Sequence, residues 1–271
     1  MRNCAFLLFC AFCMAGCNGD EDAKAAWNAV IKKCAVSDLN TPKILYFGPS
    51  NNVGPGSVWR ADTEGGYHLR FTVADIPDPK DFITKGNSTS CEGTSSTKFG
   101  LKASAGLTTS VTPVSLNLSN DLQKAKSIEV KVTSASWDLI SEVPYETRIK
   151  ALPVTNNLRQ DLDKGDRLVI GRALRISGYS AVLTFSDSDT AGLKAKYSGT
   201  LAKALTGDVG AELSANWSAD NKLTLTSAGD FYIAGELTPY KAGGFAAANV
   251  SPFGPARDIG NVKALDREKV D

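Results

Sequence analysis

The chain has 271 residues, 42% of them hydrophobic and 22% charged, proportions that exclude a disordered, collagen-like or polytopic membrane protein. Its 30 Lys and Arg stand against 29 Asp and Glu, so nothing is offered for a nucleic-acid backbone to attract and no nucleic-acid partner is expected. A body of this length buries roughly 70 to 75% of its unfolded surface, which removes the need for a metal or cofactor in folding, and none is expected.

The first predicted element is an address. A charged start, Met1 and Arg2, precedes an apolar run from Cys4 to Cys13, about as long as a signal-peptide core and too short to span a bilayer. The run ends in Met14-Ala15-Gly16-Cys17, which resembles the lipobox of bacterial lipoproteins. The resemblance implies cleavage between Gly16 and Cys17, removal of residues 1–16, and a mature chain whose Cys17 carries a thioether diacylglycerol and an amide-linked acyl chain such as palmitate. At about 0.8 kcal/mol per buried methylene, two or three such chains anchor a protein firmly. The membrane is then a partner through lipidated Cys17, in the bacterial cell envelope. Asn18 replaces the aspartate that retains many such lipoproteins at the inner membrane, so the outer membrane is favoured, with its periplasmic face and the cell surface both open.

Cys4, Cys10 and Cys13 leave with the signal and Cys17 is acylated, so Cys34 and Cys91 are the cysteines left. In an oxidising compartment they predict one disulfide, closing a loop of about 57 residues for about 4 kcal/mol in the chain-entropy model. The alternative is two buried thiols. Residues 20–34 read as a helix, acidic at its start (Asp20, Glu21, Asp22) and basic at its end (Lys32, Lys33), which suits the helix dipole. Trp27, Val30, Ile31 and Cys34 share one face, so the helix is expected to lie on the body with Cys34 inward. Residues 17–40 thus form a lipidated N-terminus and helix.

From residue 41 to 240 a single β-rich domain is predicted. Short period-two runs at 44–47, 57–59 and 67–73 are followed by longer alternating stretches at 98–107, 111–119, 127–140, 167–185, 191–198, 208–217, 222–226 and 231–238. Helical spacing returns only near 145–152 and 156–163. The class is therefore α+β, mainly antiparallel sheet with an N-terminal helix and a few short helices. Residues 241–271 read as an extended C-terminal tail.

Catalytic parts are scarce. His68 is the lone histidine and sits in a strand pattern, so zinc chemistry and a histidine-based nucleophile lack components, although it is the residue poised to titrate near neutrality. No GxSxG, GxxxxGK[ST] or GxGxxG occurs. The loop Gly48-Pro-Ser-Asn-Asn-Val-Gly-Pro-Gly56 has prolines where donors are needed and a strand after it, which predicts a shaped turn presenting Trp59 instead of an anion cradle. Asp75, Asp78 and Asp81, spaced by Pro77 and Pro79, read as a solvated loop more than a calcium site. The protein is expected not to be an enzyme.

Two regions alternate cleanly with small residues: Phe99, Leu101, Ala103, Ala105 and Leu107, then Leu193, Ala195, Tyr197, Val209, Ala211, Leu213, Ala215 and Trp217. An ordinary half-buried sheet explains them, and so does a pair of hairpins able to cross a bilayer in a closed barrel. The order of elements across residues 42–240, with Gly165-Asp-Arg-Leu-Val-Ile-Gly-Arg-Ala-Leu-Arg-Ile-Ser-Gly178 as the closest stretch, resembles the pore-forming region of bacterial gasdermins. Two functions follow as expectations. The first is a lipid-anchored, non-enzymatic binding module for a protein, glycan or lipid partner. The alternative is a membrane-active protein inserting two amphipathic β-hairpins as an oligomeric pore.

Overall fold

The computed structural model describes residues 27–34, 36, 44–61, 67–91, 97–100, 124–197, 213–218, 221–241 and 243–245. In chain order the elements are β1 (Ile44–Ser50), β2 (Val58–Ala61), β3 (Tyr67–Phe71), β4 (Ile83–Thr84), β5 (Thr89–Ser90), β6 (Thr97–Gly100), β7 (Ser127–Lys131) and β8 (Ser134–Ile140), then helices α1 (Glu142–Ala151) and α2 (Asn157–Asp163). There follow β9 (Arg167–Ser177), β10 (Ser180–Thr184), α3 (Asp187–Tyr197), β11 (Leu213–Trp217), β12 (Lys222–Ser227), β13 (Phe231–Lys241) and β14 (Gly244–Phe245). Every pairing is antiparallel, so the class is α+β with a dominant antiparallel sheet.

The strands divide into a nine-stranded sheet, ordered β1-β13-β9-β2-β3 with β8 also on β9, and a five-stranded sheet ordered β11-β12-β10-β7-β6. Three neighbouring strands run from one sheet into the other. The stretch predicted at 127–140 breaks at Val132 and Thr133 into β7 and β8, and the stretch at 167–185 breaks at Gly178 and Tyr179 into β9 and β10. A third crossing joins β12 to β13 through residues 228–230. These breaks sit at one level: the Thr133 N–H donates to Ser177 O (2.9 Å) and the Ser227 N–H to Tyr179 O (3.1 Å). Gly178 holds φ at +63°, and a Cβ there would strike the Thr133 side chain, so glycine is required at the bend on two counts.

The hydrophobic residues sort by face. Leu174 and Ile176 of β9 share a core with Ile128 and Val130 of β7, Ala181 and Leu183 of β10, and Leu223 and Leu225 of β12, filling the angle between the sheets. Residues 27–31 are helical and continue into a 3-10 turn, Lys32–Cys34. Their Trp27, Val30, Ile31 and Cys34 are all buried in that angle, on the face that the sequence spacing assigns. Further along the same sheet, α1 and α2 cover Val58 and Val169 with Tyr145, Ile149, Leu158 and Leu162. The opposite face holds Leu45, Trp59 and Ile170. There Phe47 of β1 and Trp59 of β2 stack at 6.4 Å, although two strands lie between theirs, a separation of about 14 Å in a flat sheet. The sheet therefore curls around this cluster.

One predicted strand is a helix. Residues 191–198 alternate Leu193, Ala195 and Tyr197, but 187–197 forms α3. Leu193 and Tyr197 also satisfy helical spacing with Thr190, and the local chemistry decides. Ser186 Oγ accepts from the Asp189 N–H (3.3 Å) and hydrogen-bonds the Asp189 carboxylate, a helix start that offsets the β-like alternation.

Candidate functional site

The two alternating regions meet the fold at opposite edges of one sheet. β6 and β11 are the outer strands of the five-stranded sheet. In register, Thr97 and Phe99 oppose the buried Val130 and Ile128 of β7. On β11, Ala215 and Trp217 pack against the core between the sheets while Ser214 and Asn216 are exposed. On β11 the core-facing parity is thus odd-numbered, and on β6 the odd-numbered positions are those in register with core residues of β7. It is the same parity that carries Leu101, Ala103, Ala105 and Leu107 after β6, and Val209, Ala211 and Leu213 leading into β11. The predicted stretches 101–107, 111–119 and 208–212 lie outside the described residues.

α3 lies against the β11 edge through polar contacts. Lys194 stands over the Trp217 ring at 5.8 Å and donates from Nζ to Ser218 O (3.2 Å). Asn221 bonds Asp187. Leu193 of α3 is buried in the core between the sheets.

The remaining predicted residues fall as follows. Cys34 and Cys91 are brought together with their sulfurs 2.00 Å apart, so the pairing reading holds over that of two thiols. Gly16 and Cys17 lie outside the described residues. His68 sits in β3 opposite Arg60 and is partly exposed. Among the described residues no group of His, Cys, Asp or Glu side chains has the makings of a metal site. Asp75 accepts from the Thr72 N–H (2.7 Å) and Oγ1–H (2.8 Å), capping a short turn, and Asp78 and Asp81 both pair with Arg148. The loop before β2 is a shaped turn. Ser50 Oγ accepts from the Asn52 and Val53 N–H groups (3.2 and 3.1 Å), and Gly56, at φ +95°, donates its N–H to Ile170 O (2.8 Å). It does not present Trp59, which is fully buried.

Two buried charged clusters escape sequence reasoning. Asp138 of β8, completely buried, accepts from Arg175 Nε of β9 (2.8 Å), the Tyr232 hydroxyl of β13 (2.9 Å) and the Gly86 N–H (3.0 Å). Arg175 also reaches Asp230 (2.9 Å). Burial, reinforced by the Asp138 charge, pushes the Tyr232 hydroxyl far above its ordinary value, so it stays a donor. Asp161 of α2 takes Arg167 Nε at 2.7 Å and NH2 at 2.8 Å, with Lys164 (3.0 Å) and Arg70 (3.4 Å) beside it. Burial works against its charge, but the hydrogen bonds from Arg167 and Lys164 and the charges of Arg167 and Arg70 prevail and hold it well below the usual carboxylate range. Both clusters are closed within themselves and tie elements together. The one sequence signal was a charge at a core-parity position, Asp138 two residues before Ile140 on the same face of β8.

No protein-family model matches the chain, and no curated protein does. Among solved structures it is similar to a bacterial gasdermin from Bradyrhizobium tropiciagri, with 14% sequence identity and a TM-score of 0.40 over 76% of this chain and 86% of that one. The likeness is distant.

Proposed function

We propose that this is a lipid-anchored envelope protein whose body acts on membranes, extending the two edges of its five-stranded sheet as amphipathic hairpins that insert as an oligomeric, gasdermin-like β-barrel. The observation that carries this is the shared parity: the odd-numbered positions, core-facing on β11 and in register with core residues of β7 on β6, continue as an alternating apolar row in the adjoining sequence. A bilayer accepts strands only when their backbone groups are paired in a closed barrel, with one apolar face toward lipid. Two alternating hairpins on opposite edges of one sheet leave each subunit with a free edge on either side for its neighbours. Lipid on Cys17 would hold the body at the bilayer, and the outer membrane is its proposed address. No side chain is assigned a catalytic role.

A second reading is favoured by α3. Its capped helix takes one of the four stretches that two hairpins need, which suits an anchored binding module for a protein, glycan or lipid partner. Release of a trapped dye from phospholipid vesicles by the purified mature protein separates the two. Leakage, with ring-shaped oligomers extracted from the vesicles, supports insertion. Intact vesicles at saturating bound protein leave the binding module.

A further inference from the structure

The helical segment 27–34 and the bend between the two sheets are tied to one another by a bond that can be opened chemically. Trp27 and Ile31 are buried between the sheets, and the Trp27 ring lies 6.4 Å from that of Tyr179, which follows the bend glycine Gly178. The segment is therefore a wedge in the angle. Cys34 ends the wedge and is fully buried, whereas Cys91 is partly exposed. The Cys91 N–H donates to Thr133 O (3.0 Å), and the Thr133 N–H and hydroxyl both donate to Ser177 O (2.9 and 3.1 Å). So the disulfide runs from the wedge to Cys91, whose backbone is bonded to Thr133, where two of the three crossing strands meet at their bends.

We propose that the Cys34–Cys91 bond is a reducible latch that sets the angle between the sheets by holding the wedge in place. A dithiol reductant, small or protein-borne, reaches the partly exposed Cys91 sulfur first. Its thiolate attacks that sulfur and forms a mixed disulfide, and Cys34 leaves and takes up a proton inside the apolar angle. The reductant's second thiolate then displaces Cys91, which is protonated in turn. One protein disulfide becomes two thiols, and one dithiol becomes a disulfide. The wedge is then held by packing alone, and the bend at Thr133 and Gly178 loses its tie to the chain that precedes β1. The latch does not depend on membrane insertion.

Hydrogen exchange of the full chain, oxidised and reduced, tests this, with Cys34→Ala/Cys91→Ala as an unreducible counterpart. We expect amides of 27–34 to exchange about a hundredfold faster without the bond, with a rise also at 132–133 and 178–180. The β9–β13 pairs distant from the bend, such as Arg167 with Tyr240 and Val169 with Thr238, should keep their protection, and reoxidation of the reduced wild type should restore the slow rates. Unchanged exchange at 27–34 would overturn the latch, because packing would then suffice. A uniform acceleration through both sheets would overturn it as well, because the bond would then be a global staple. Reversible reduction of wild type covers the case in which the double variant fails to fold.

Discussion

Asp161 shows how a buried charge becomes a stability term with a sign. Its carboxyl is held below the usual range in the folded protein, so the stability it contributes is fully present above the unfolded value of about 3.9. That contribution is lost progressively as pH falls below it. Urea unfolding should therefore give a flat midpoint from pH 5 to 7 on this account, falling below about pH 4. Asp161→Ala should remove that acid-sensitive component and cost about 3 kcal/mol at pH 7, because buried Arg167 is then left with the mostly exposed Asp166 as its ion-pair partner. A midpoint for the variant that matches wild type at pH 7 would show that the pair is dispensable. At Cys17 the expectation concerns chemistry, since a serine oxygen cannot form the thioether. Cys17→Ser should yield an uncleaved precursor that takes up no fatty-acid label, and undiminished labelling would refute the lipobox reading. The burial of Cys34 was legible because a helical face is written in i, i+3, i+4 spacing. The role of Asp138 was not, because its partners Arg175, Tyr232 and Gly86 arrive from three distant stretches that only the sheet register brings together.

At the scale of elements, periodicity identified most strands because each has one face on a core and one toward water, as Leu223 and Leu225 on β12 alternate with exposed Lys222 and Thr226. It did not show that 127–140 and 167–185 each break in two, although the parity facing the core between the sheets switches at both bends, from Ile128 and Val130 to Ala135 and from Leu174 and Ile176 to Ala181 and Leu183. The glycine at 178 was a second visible mark. It also failed at α3, where Leu193 and Tyr197 satisfy both periods and the deciding signal, Ser186 with Asp189 three residues on, is an end effect and not a repeat. Ser186→Ala should accordingly destabilise α3 by about 1 kcal/mol. Faster hydrogen exchange confined to 187–197 is the expected outcome. If exchange there does not change, Leu193 and the Lys194–Trp217 contact hold the helix without its cap. Trp27→Ala should cost about 3 to 5 kcal/mol, measured by urea denaturation of the oxidised protein, because the ring is buried in the core between the sheets.

For the whole molecule, the two sheets are built differently. The nine-stranded sheet is fastened by Asp138 across β8, β9 and β13 and by Asp161 between α2, β3 and β9, while the five-stranded sheet ends in two edges, β6 and β11. If those edges extend into a bilayer, the odd-numbered row after β6 faces lipid and the even-numbered row faces the lumen. A charge is then tolerated on one row and not on the other. An arginine on the lipid face near the bilayer midplane costs about 2 to 4 kcal/mol per subunit, multiplied around an oligomer. Ala103→Arg should therefore abolish dye release while leaving vesicle binding through the anchor intact, and Ser104→Arg, one residue on, should release dye at near the wild-type rate. Equal leakage from both variants would show that residues 101–107 do not enter the bilayer as a strand. Loss of folding in Ala103→Arg alone, read from its unfolding midpoint, would instead place that row in the soluble core, as the binding-module reading requires.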